Sequence, residues 1–178
     1  MIVAKSHFES EFNDLLKNGE CPSKETFESI QRFTLSFSLF EAKLLKCDGS
    51  QGESKNYASL FLSKELVDIK ELDRVFEYFA ERYARNGDST QRYSILCGDR
   101  GGKLQPVVAK TFSSQEQNSE DRLTACLYVL FRLRNNLFHG PKWLGNMDKQ
   151  VPNLNAASDL ILNILRISRE KHFWTESD

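Results

Sequence analysis

Hydrophobic residues recur along this chain at spacings of three and four, the period of helices that bury one face. Phe8, Phe12 and Leu15 share a face, predicting a first helix from about Ser6 to Lys17 that stops at Asn18-Gly19. The Cys21-Pro-Ser turn leads to Ser23, an N-cap residue, with Glu25 behind it to complement the helix dipole. From there Phe27, Ile30, Phe33, Phe37, Phe40 and Leu44 trace a long stripe to about Cys47, which Leu35, Leu39 and Leu45 are expected to widen. A polar loop over Asp48 to Ser54 precedes a short helix near Tyr57 to Leu62. Ser63 then caps a third long helix whose stripe is Leu66, Ile69, Leu72, Phe76, Phe79 and Tyr83, closed by Asn86-Gly87. A fourth begins at Asn118 or Ser119, with Glu120 and Asp121 in its first turn. A last helix from Pro152 turns Leu154, Ala157, Leu160, Ile161, Ile164 and Leu165 inward. His172 and Trp174 follow as tail or dimer-contact residues.

Between these helices, Ser89 to Ser114 departs from the pattern. Tyr93-Ser-Ile-Leu-Cys and Pro106 to Phe112 have strand character around Gly98-Asp-Arg-Gly-Gly102, predicting a small β-hairpin or ordered loop near 92–112. The expected architecture is therefore all-α: one domain over residues 1–178, with four long helices, short ones, and this insertion.

The helix from Asp121 towards Trp143 breaks its own pattern. Leu123, Leu127, Leu130 and Leu137 lie on one face, but position 134, the missing member, is an arginine. A guanidinium cannot shed its proton and is costly to bury unpaired. The stripe must therefore open at Arg134 onto a cleft, a partner or an anion. Asn135, Asn136 and His139 follow, and Gly140-Pro141 stops the helix. At about 100° per residue, Asn135 and His139 stack one turn apart while Arg134 and His139 diverge by about 140°. One copy of the helix thus makes a broad polar edge rather than a closed site. A helix C-terminus favours the protonated imidazole. Arginine beside a proton-carrying histidine suits phosphate chemistry, the one holding phosphoryl oxygens and the other moving protons. The competing reading is a polar pair that merely caps the end of a core helix.

The segment Arg134-Asn-Asn-Leu-Phe-His139 resembles the Arg-x4-6-His signature of the HEPN superfamily, with the frequent polar residue after the arginine as Asn135; the Leu-Phe-His-Gly-x-Lys continuation is similar to bacterial members. The resemblance implies a HEPN-like helical bundle, usually a homodimer with a composite active site. The implied activity is a metal-independent endoribonuclease that leaves 2′,3′-cyclic phosphate ends, often a toxin or antiviral effector. It also implies roles: His139 as general acid/base, Arg134 as stabiliser of phosphorane-like charge, Asn135 as orienting residue. Asn136, Lys142, Arg132 and Trp143 are weaker candidates for RNA contact, Arg132 being read as a surface charge. Implied partners are RNA, such as tRNA or mRNA, and an antitoxin or regulatory protein, with no cofactor. Some members have lost activity, which keeps open a catalytically inactive dimer that binds a protein or nucleotide.

Composition qualifies this picture. A net charge of -1 argues mildly against a general nucleic-acid binder. Acidic residues outnumber basic ones as far as residue 90, however, and the balance then reverses. From Arg122 to Met147 no acidic residue occurs, so the local field at the motif is expected to be positive. The same gap counts against a metal-dependent nuclease, which needs carboxylates near His139. Scattered Cys21, Cys47, Cys97 and Cys126 lack zinc-site spacing and read as reduced thiols. No apolar run reaches membrane-span length and no signal peptide is recognised, so a cytoplasmic protein is expected.

Overall fold

A computed structural model of the chain describes residues 7–15, 22–85, 88–114, 116–139 and 147–174. Eight α-helices are described: α1 (His7–Leu15), α2 (Lys24–Leu44), α3 (Ser54–Ser63), α4 (Ile69–Tyr83), α5 (Gln91–Cys97), α6 (Gln105–Ser113), α7 (Ser119–His139) and α8 (Val151–Glu170). Four are long (α2, α4, α7 and α8), as the periodicity predicts, and four are short. Among the described residues the only strand pairing is a two-residue antiparallel ladder, β1 (Ala84–Arg85) on β2 (Asp88–Ser89).

The helix at the centre is α7. Every residue from Leu123 to Leu133 is buried. Neighbours cover it all round, with α3, α4, α5 and α6 against its sides and α8 beside it. A helix apolar around its whole circumference can be stable only in such a position. The long helix α2 lies against α8 and brings Phe37 edge-on to Phe131 of α7, with ring centroids 5.9 Å apart. Its cap is the expected one, Ser23 accepting the Thr26 N–H. Phe33, Phe37, Phe40 and Leu44 are buried, but Leu35 and Leu39 are 63% and 40% exposed. These two leucines do not widen the buried stripe: α8 covers one side of α2, and they sit on the other. On α1, Phe8 and Phe12 both meet Phe27 edge-on, while Leu15 stays exposed.

Two boundaries differ from the expected ones. Ser63 ends α3 rather than starting the next helix. Glu65 takes a left-handed φ of 51° that breaks the run, and Asp68 caps α4 by accepting the Lys70 N–H at 2.9 Å. Buried Leu66 plugs the turn between the two helices.

The larger correction concerns 92–112, which is two helices and not a hairpin. Thr90 caps α5, accepting the Tyr93 N–H at 3.3 Å, and Pro106 sits in the first turn of α6, where a missing N–H costs nothing. Tyr93, Leu96, Val108 and Phe112 face the core at helical spacing, and their β-propensity yields to that burial. After α8 the chain turns back: the Trp174 indole donates to the Leu165 carbonyl, and Lys43 lies over its ring. Trp174 therefore packs on its own bundle. No helix among the described residues is long and apolar enough to cross a membrane.

Candidate active site

The polar end of α7 separates two arginines that sit two positions apart in sequence. Arg132 is 5% exposed. Its guanidinium donates to the Leu96 carbonyl at 3.2 Å and 3.1 Å, to that of Cys97 at 2.5 Å and to that of Arg100 at 3.1 Å. It also donates to Gln51 Oε1 at 3.0 Å. These carbonyls close the C-terminal end of α5 and the 3-10 turn Gly98–Arg100 after it. A helix end leaves its last carbonyls without intrahelical donors and carries partial negative charge; a buried cation satisfies both. The sequence reading of Arg132 as a surface charge is thus corrected: its charge is spent inside the fold.

Arg134 has a different setting. Its Nη2 donates to Glu41 Oε1 on α2 at 2.7 Å, and the guanidinium carbon lies 5.5 Å from the centroid of the Phe37 ring. Nη1 donates to Asn135 Oδ1 at 3.0 Å. The side chains of the ion pair are 29% and 22% exposed. A guanidinium held on one edge by a carboxylate and on one face by an aromatic ring keeps its other donors for a ligand. This is the opening in the apolar stripe that the arginine demands, and α2 forms its wall.

Glu41 is the residue that sequence reasoning missed. It sits in the last turn of α2, where the helix dipole disfavours a carboxylate. That unfavourable position, in a helix with a buried face, was the available signal that a cation lies opposite. The loop after α2 holds the carboxylate in place. A Cβ at Gly49 would meet Glu41 Oε1 at 2.8 Å and Phe131 Cε1 at 3.2 Å, so a larger residue here would push the carboxylate off its present position. The Tyr57 hydroxyl donates to the carbonyls of Leu45 and Asp48, both at 3.0 Å, fixing the loop's start. Burial, with help from nearby Asp48, Glu53 and Glu41, raises the Tyr57 pKa and keeps the hydroxyl a donor.

Asn135 is half-buried beside Arg134. Asn136, also half-buried, belongs to the other network: its amide donates to the Leu96 carbonyl at 2.9 Å and its Oδ1 accepts from Arg132 at 3.4 Å. The fold thus brings Arg134, Asn135 and Glu41 together and ties Asn136 to Arg132. His139 is the last residue of α7, one turn beyond Asn135, and its side chain lies outside the described residues, as do Lys142 and Trp143. No three His, Cys, Asp or Glu side chains gather at metal-binding distance among the described residues. Compared with family models, curated proteins and solved structures, the chain gives no match in any of the three.

Proposed function

We propose that this protein is a metal-independent endoribonuclease of the HEPN type, with its chemistry at the end of α7. The observation that carries the proposal is the Arg134 guanidinium. It is oriented by Glu41 and Phe37, stays partly open to solvent, and lies next to Asn135 in the turn that ends at His139. The other arginine of the segment is consumed by backbone carbonyls, so Arg134 alone of the two has donors for a phosphate.

In this mechanism Arg134 holds the non-bridging oxygens of the scissile phosphate and stabilises the charge that builds as the 2′-hydroxyl attacks phosphorus. His139 moves the proton between the 2′-hydroxyl and the departing 5′-oxygen. Asn135 orients the arginine and the phosphate. The products are a 2′,3′-cyclic phosphate and a 5′-hydroxyl, so water is not needed for strand scission. A second copy of the chain completes the cleft, since one α7 presents a broad polar edge. A toxin or antiviral defence role, held in check by an antitoxin or regulator, belongs to the same reading.

A second reading has its own observation. The Glu41 carboxylate already neutralises Arg134, which suits an inactive dimeric module that binds a protein or nucleotide. Substrate chemistry separates the two. An oligoribonucleotide that the protein cuts in EDTA should resist cleavage when the 2′-hydroxyl at the cut site is methylated, and its products should carry cyclic ends. Cleavage of the methylated strand, or 5′-phosphate products, would refute attack by the 2′-hydroxyl. No cleavage from a well-folded dimer favours the binding module.

A further inference from the structure

On the opposite flank of the α7 tip, Leu133, Asn136 and Leu137 turn towards a cavity of about 550 Å³ between α4, α5 and the start of α8. Its size falls within the range of about 300–1,000 Å³ that small-molecule sites occupy. Three cations from three separate segments line it: Arg82 near the end of α4, Arg92 on α5, and Lys149 in the 3-10 turn before α8. Among the described residues that line it, none is acidic. Asp148, next to Lys149 in sequence, is turned away, its carboxylate accepting the Ser23 N–H and the Thr26 hydroxyl.

The Arg82 side chain is fixed at the wall by donation from Nη2 to the Lys149 carbonyl at 3.0 Å. Its Nε is buried and has no hydrogen-bond acceptor. That buried nitrogen is out of a ligand's reach, but Arg82 still lines the cavity and brings its positive charge to the wall, where an anion would be drawn. The cavity's other wall is apolar, with Ile95, Leu133 and Leu137 among its lining. Three cations around one cavity favour a dianion over a single carboxylate, and the apolar wall favours a flat or greasy body attached to it.

The geometry points to a binding site for a small phosphomonoester of nucleoside-monophosphate size, its phosphate held by Arg82, Arg92 and Lys149 and its ring laid against Ile95 and Leu137. This site is separate from Arg134 and stands whether or not the chain cleaves RNA, because its readout is binding alone.

The test is titration calorimetry of the full chain with each of the four 5′-mononucleotides, the matching nucleosides and inorganic phosphate. At least one mononucleotide should bind with a Kd below about 1 mM, and its nucleoside and free phosphate should each bind at least about tenfold more weakly. Arg92→Ala and Lys149→Ala, both at exposed positions, should each weaken binding about fivefold or more, while Arg166→Ala on the exposed side of α8 should leave it unchanged. The proposal is overturned if none of the four binds, if a nucleoside or free phosphate binds as tightly as the nucleotide, or if the cavity variants bind like wild type.

Discussion

Replacing Arg132 with methionine keeps a long side chain and removes the charge and every donor. The guanidinium is nearly inaccessible and makes hydrogen bonds to three backbone carbonyls and to Gln51. Hydrogen bonds from a charged donor contribute about 1.5–3 kcal/mol each, against a desolvation penalty of several kcal/mol for the buried ion. Two acceptors retain a donor after the change: the Asn136 amide still reaches Leu96, and Gln51 still reaches Arg100. Cys97 loses its bond to the guanidinium outright, and the C-terminal dipole of α5 goes unbalanced. The neutral groups left unpaired, the Cys97 carbonyl and Gln51 Oε1, cost about 1–3 kcal/mol each, and with the lost dipole contact the net cost is about 3–5 kcal/mol. For a chain of 178 residues each kcal/mol shifts Tm by about 2–4 °C, so the melt should fall by roughly 6–20 °C. Arg134→Ala is the internal comparison. It removes a partly exposed ion pair and a cation–π contact, together about 1–2 kcal/mol, and should shift the melt by only a few degrees. Circular dichroism melts of both variants decide the matter. A loss under about 1 kcal/mol for Arg132→Met, or equal melts for the two, would refute the division of labour between the arginines.

Other outcomes follow from the same geometry. Glu41→Gln should lower RNA cleavage by about tenfold by loosening the arginine while moving Tm by only a few degrees; cleavage at the wild-type rate would remove Glu41 from the site. Alkylation of the native protein near pH 8, followed by peptide mass spectrometry, should label exposed Cys47 and spare buried Cys97 and Cys126, the last with a thiol pKa pushed up by burial; native labelling of Cys126 would contradict the central position of α7. Hydrogen bonds from Thr26 and Ser23 hold the Asp148 carboxyl below its usual value. Its contribution to stability is therefore present above the ordinary carboxylate pKa of about 4 and lost as pH falls through the lower folded value. Asp148→Ala should melt below wild type at neutral pH, with the gap closing in acid; a gap that does not change with pH would contradict the link.

Helices α2 and α8 were legible because each buries one face over several turns: Phe33, Phe37, Phe40 and Leu44 announce α2, and Leu154 to Leu165 announce α8. The pattern is local and survives without knowledge of partners. Where it misled, the deciding contacts were distant in sequence. Tyr93, Ile95, Val107 and Val108 suit strands in isolation, but α5 is capped at its far end by an arginine more than thirty positions downstream. Arg132 looked like a surface charge for the same reason, since its acceptors are carbonyls contributed by another helix. The site was half legible. The gap at position 134 showed that an arginine must meet a counter-group, and the sequence alone had no means to say that the group is Glu41, 93 positions away.

The most direct measurement is the rate of RNA cleavage in EDTA by the wild-type protein and by Arg134→Ala, both verified as folded by their melts. Wild type should cut, and the variant's rate should be about 100-fold or more lower, the scale expected when a principal stabiliser of transition-state charge is removed. Equal rates, or a folded wild-type protein that cuts no RNA, would contradict the proposed mechanism.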